Sequence, residues 1–215
     1  MFKKSILVVS TLLFACFILI ASLLRASSTS YSFYEEENLS YLQNLESKNG
    51  NGEENVEIEY FFPYPGRILP DNSFYFLKAL RDKFWFLLVA NPNKKAEILL
   101  LFADKRLVSS RILFEKGKPN IAFSTLTKAE KYLEEASLKN EENRRTGLDT
   151  TSFDLKIATA SLKHWEEIKN LVNLAPEETK PEMIKLILYP KKVYELSRDG
   201  LLSKNIIPPY NPFGE

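Results

Sequence analysis

Between Ser5 and Leu24 the chain carries no charged residue, and that run constrains everything that follows it. At about 1.5 Å per helical residue, a stretch of this length reaches roughly 30 Å, the hydrocarbon thickness of a bilayer. A small water-soluble domain has no room for so long an apolar rod, so the fold must be built from later residues. The run predicts contact with membrane lipid through residues 6–24. Lys3 and Lys4 precede it, Arg25 closes it, and the acidic triplet Glu35-Glu36-Glu37 follows. By the positive-inside tendency this places the N-terminus in the cytoplasm and the rest outside the membrane.

Whether the segment is retained is a separate question. A cleaved signal peptide has an apolar core of about 7–15 residues and a small-x-small site. Here the core is longer, and an exit after Ala26 would put Leu24 where a small residue is wanted. These criteria favour an uncleaved signal anchor over cleavage near Ala26 and secretion. Leu13-Phe14-Ala15-Cys16 has the outline of a lipobox, but Phe14 is bulky for its position and apolar residues follow the cysteine. Cys16 reads better as an ordinary residue of an apolar helix.

With a single cysteine, no intramolecular disulfide can form, and the fold must hold by packing. Of 29 basic residues three flank the apolar run, which leaves 26 against 28 acidic ones in the remainder. A balance slightly on the acidic side argues against nucleic-acid binding, which needs a basic surface. Few glycines with abundant Leu, Lys and Glu point to helix, so the predicted fold class is all-α.

Polar stretches at residues 27–32 and 47–55 mark a linker over 27–61. Next comes Pro63-Tyr64-Pro65-Gly66-Arg67-Ile68-Leu69-Pro70-Asp71, whose three prolines and glycine fix a non-helical path. Asp71, Asn72 and Ser73 are N-cap candidates for a first helix over about 73–89. Its stripe is Leu77, Leu80, Phe84 and Leu87 or Leu88, which is expected to pack on the helices after it. Asn91-Pro92 restarts the chain into a second helix to about Phe114, with Gly117 as its left-handed C-terminal residue. Pro119 opens a third helix carrying Ala122, Leu126, Ala129, Leu133 and Ala136. Short turns make these three an antiparallel bundle over residues 62–140. Residues 139–151 read as a polar loop. A fourth helix over 152–173 and a fifth from Pro181 then form a pair over 149–203 packing on the bundle. Pro190 should break the fifth helix, Gly200 should stop it, and a proline-rich tail occupies 204–215.

The run Pro63-x-Pro65-Gly66-x-x-Leu69-Pro70-Asp71-x-x-x-Tyr75-x-Leu77-Lys78 resembles the opening of a bacterial and archaeal domain of unknown function, family 5667. Lys95-Ala96-Glu97, Arg106-Leu107, Gly117-x-Pro119 and Tyr132-Leu133-Glu134-Glu135-Ala136 extend the resemblance over residues 62–136. It implies a short helical module behind a signal or membrane segment. It brings no catalytic residues, cofactor or ligand with it.

No catalytic constellation stands out. His164 is the only histidine, and neither a cysteine cluster nor a second histidine accompanies it. It reads as a helix-surface residue rather than a metal ligand or base. Glu97 and Asp104 lie two turns apart, farther than a retaining carboxylate pair allows, and Asp71 reads as a cap. Metal, cofactor and catalytic residues are therefore expected to be absent. Among Tyr60, Phe61, Phe62, Tyr64, Tyr75, Phe76, Trp85 and Phe86, core packing is the first expectation, and Tyr64, Tyr75, Trp85 and Phe86 are the candidate interaction aromatics, since such residues concentrate in interfaces. The expectation is a non-enzymatic, single-pass, membrane-tethered interaction or scaffolding module facing away from the cytoplasm, with an envelope protein as partner. The alternatives are an exported protein that binds an apolar or aromatic ligand, and an uncharacterised envelope enzyme.

Overall fold

The computed structural model describes residues 58–211, together with 10, 11, 14, 15, 17 and 18. Lys3, Lys4, Arg25 and most of the apolar run and linker lie outside the described residues. The six described N-terminal residues are helical, with Phe14, Phe17 and Ile18 exposed. Among the described residues, no helix is long and apolar enough to cross a membrane.

From Ile58 onward the chain is all-helical after an extended entry. The helices are α1 (Tyr75–Leu88), α2 (Pro92–Glu115), α3 (Pro119–Arg145), α4 (Thr151–Leu174), α5 (Lys180–Leu186) and α6 (Leu188–Leu202). Their boundaries follow from local chemistry. Asn91 caps α2 by accepting from the backbone N–H of Asn93 and Lys94, with Pro92 at the first helical position. At its other end Gly117 takes φ +69°, and N–H groups of Gly117 and Lys118 close on the carbonyls of Phe114 and Leu113. That is a Schellman ending, for which a left-handed glycine is the natural residue. Pro190 breaks the last helix as expected: α5 stops at Leu186, and the proline sits in the first turn of α6, where its missing N–H costs nothing.

Four helices form the bundle. α2 neighbours α3 and α4, and α6 neighbours the same two, so α2 and α6 lie on one diagonal. α5 bridges α4 to α6. One apolar cluster joins Leu107, Leu113, Leu126, Ile168, Leu171 and Met183. A second joins Leu99, Leu100, Leu133, Ile157 and Val193. The last two helical segments thus share the core of α2 and α3 rather than lying over it.

Three expectations are corrected. The apolar stripe of α1, expected to pack on the helices after it, stays at the surface. Leu77, Leu80, Phe84, Leu87 and Leu88 are 48, 45, 48, 63 and 71 % exposed. The polar stretch read as a loop over 139–151 is helical up to Arg145, and only residues 146–150 are loop. Asn140 and Asn143 are buried there, and Asn140 donates to Asp154 at 2.5 Å. Finally, Gly200 does not end α6 but lies inside it, where a Cβ would fall within the Arg144 guanidinium. Glycine is needed for that close approach, not for a turn.

Candidate functional site

At the centre of the bundle three ionisable residues meet with no exposure to solvent. Asp104 comes from α2, Glu130 from α3 and His164 from α4. His164 Nδ1 lies 2.9 Å from Glu130 Oε1, and Nε2 lies 3.0 Å from Asp104 Oδ1. Ionised carboxylates only accept, so a ring bonded at both nitrogens must donate from both and is an imidazolium. Burial by itself pushes the ring pKa down. The charge of Glu130, with the hydrogen bonds and charge of Asp104, outweighs it and raises the pKa to about 9. Tyr60 of the extended entry donates to the other Asp104 oxygen at 2.7 Å. Phe62 stands edge-on to the imidazole, with ring centres 5.5 Å apart. Glu130 Oε2 is buried with no hydrogen-bond partner among the described residues.

The cluster is a clamp. One ring bonds a carboxyl oxygen at each of its nitrogens and so ties three helices together. The carboxylates take opposite nitrogens of one ring, so the three side chains diverge from any common point. Accordingly, among the described residues no set of three acidic, His or Cys side chains is disposed to hold a metal ion. All three side chains are sealed from solvent. His164 is therefore no helix-surface residue. A signal was present in the sequence: Asp104 sits between Leu100 and Leu107, and Glu130 between Leu126 and Leu133. Each is a charge at the register of a buried stripe, and His164 stands four residues before Ile168 in the same way.

A second polar knot closes one end of the helices. Asp154 accepts from Asn140 and from Thr150 Oγ1 and lies 3.5 Å from Arg144, which also pairs with Glu141. Burial dominates and raises the Asp154 pKa, with Thr150 and the Arg144 charge opposing it.

The proline-rich entry forms a braced turn. Gly66 takes φ +87°, Pro65 and Leu69 are buried, and Lys78 donates to the carbonyls of Pro65 and Ile68. Pro63 and Pro70 are half-buried. Asp71 does not cap α1; it pairs with Lys118 at 2.7 Å, and that ammonium holds its carboxyl below the usual range. Asn72 forms a turn just ahead of α1, accepting from the Phe74 N–H at 2.8 Å.

Of the candidate aromatics, Tyr64 is exposed, Tyr75 and Phe86 are half-buried, and Trp85 is buried. Phe86 packs on the second apolar cluster and Lys95 lies over its ring. Phe61, Phe74, Phe76 and Phe84 are exposed together with Tyr64. Sequence reasoning missed Phe84 because it assigned the α1 stripe to the core.

The family described as Domain of unknown function (DUF5667) matches residues 67–178, just over half of the chain. The chain belongs to that family. The DUF5667 match begins after Pro63-x-Pro65-Gly66 and extends beyond Ala136 through all of α4, so it is longer at the C-terminal side than the motifs suggested. It includes Asp104, Glu130 and His164 but not Tyr60. No curated protein and no solved structure matches the chain.

Proposed function

We propose that this DUF5667 protein is a single-pass, membrane-tethered interaction module whose helical body lies on the extracytoplasmic side and performs no catalysis. The observation that carries the reading is the apolar face of α1, with Phe76, Leu80, Phe84 and Leu87 at the surface. A contiguous exposed apolar surface on a small protein is a docking surface. The uncharged run at 5–24, with Lys3 and Lys4 before it and Arg25 after it, supports a retained N-in anchor. The sealed ionic cluster supports a non-catalytic body, since its side chains hold helices together away from solvent.

Membrane fractionation combined with the mass of the mature protein tests the tether. Retention in the membrane with the N-terminal segment intact is expected; a mass beginning after Ala26 overturns it. Photocrosslinking from Phe84 in intact cells tests the docking surface. Adducts with an envelope component or with lipid are expected, and a body that reacts only with solvent overturns it.

A further inference from the structure

The apolar face of α1 is ordered in a way that points to a specific occupant. At about 100° per residue, Phe76, Leu87, Leu80, Phe84, Leu77 and Leu88 fall in that order within a sector of about 120°. Lys83 lies just beyond one margin of this sector and Arg81 just beyond the other. Arg81 also bonds to Asp82 at 2.7 Å, on the side of the helix away from the sector. The buried Trp85 and the half-buried Tyr75, Ala79 and Phe86 belong to the opposite side. An apolar sector bordered by cations on both sides, rich in Phe and Leu, is the pattern of a helix lying in a membrane interface.

We propose that α1 lies flat on the bilayer surface as a second, monotopic membrane contact. Its Phe and Leu side chains enter the acyl boundary, and Lys83 and Arg81 meet the phosphates of anionic phospholipid. The proposal rests on the tethered reading for its geometry. Between the uncharged run and Ile58 lie 33 residues. That length of chain permits a body tethered at the run to reach the bilayer surface. A membrane fits the margins better than a protein groove does. Phosphates line both edges of a helix sunk in an interface, whereas a groove that takes one face of a helix has no general reason to supply anions on both sides.

The test uses the full chain with Cys16→Ser and Phe84→Cys, the new thiol carrying an environment-sensitive fluorophore. A matching label at Lys131→Cys, on the exposed side of α3, serves as reference. Each protein is reconstituted into vesicles of phosphatidylcholine alone or of an equal mixture with phosphatidylglycerol, both containing acyl chains that carry a quencher. Quenching at position 84 but not at 131, stronger in the anionic vesicles, is expected. Replacing Arg81 and Lys83 by glutamine should lower the anionic preference by about fivefold per cation removed. Protein that floats with vesicles while its label at 84 stays unquenched overturns the α1 contact and leaves the tether standing. Protein released from vesicles by alkaline carbonate overturns the tether, while quenching recorded before extraction still reports on α1. Energy transfer between labels at 84 on two molecules, without quenching, assigns the face to a second copy and overturns the proposal.

Discussion

The bundle interior and the α1 face invert each other's chemistry. The interior holds an imidazolium and two carboxylates without solvent, while the helix that precedes it turns Phe and Leu outward. Each arrangement would be costly if its partners were removed, but the partners differ. The charges of Asp104, Glu130 and His164 satisfy one another inside the molecule. The Phe and Leu side chains of the α1 face are exposed, with no such compensation among the described residues. A structural role and a docking role thus separate by where the compensating group resides.

The comparison breaks most visibly at His164. His164→Leu leaves two carboxylates buried against each other and is expected to cost about 3–5 kcal/mol, read by urea denaturation of the full chain. Adding Asp104→Asn and Glu130→Gln to that variant should recover a large part of the loss, because the uncompensated charge is then gone. A His164→Leu protein as stable as the parent would show that the cluster is not a clamp.

The next effect is one of pH. Below about pH 6.5 the ring is charged in both the folded and unfolded chain, and its stabilisation is fully present. Between about 6.5 and 9 the unfolded ring loses its proton while the folded ring keeps it, so stability falls as pH rises. The loss is on the order of 3 kcal/mol across that window. Denaturation midpoints at pH 6, 7.5 and 9 should fall in that order, and the His164→Leu variant should lose this dependence.

Gly200→Ala probes the second polar knot. The new Cβ displaces the Arg144 guanidinium from Asp154 and Glu141, at an expected cost of about 1–3 kcal/mol in thermal unfolding. An unchanged melting temperature would mean that Arg144 moves aside freely. The smallest effect on stability is expected on α1. Leu80→Ser, Phe84→Ser and Leu87→Ser should each shift stability by less than about 0.5 kcal/mol, because these side chains are already exposed. A loss above 2 kcal/mol for any of them would place the α1 face in a core and erase the contrast.

Much of the fold was legible because its signals are local. Asn91-Pro92, Gly117-x-Pro119 and Pro190 punctuate the chain by fixing dihedral angles or supplying caps. The stripe of Ala122, Leu126, Ala129, Leu133 and Ala136 is buried throughout, as its spacing predicts. Less was legible at the site. Residues 139–145 look like a loop because they are polar, yet Asn140 and Asn143 find partners across the chain and stay helical. His164 looked solitary because its two carboxylates lie 34 and 60 residues away.

The sequence by itself determined the all-α class, the helix boundaries set by Pro, Gly and Asn, the membership in DUF5667 and the long uncharged run. Those depend on interactions within a few residues, where spacing and residue type suffice. Only the tertiary structure decided which charges are buried, which glycine makes room for an arginine and which apolar stripe faces outward. Burial belongs to the packing of distant segments, and the same periodic stripe serves a core or a surface according to what lies against it.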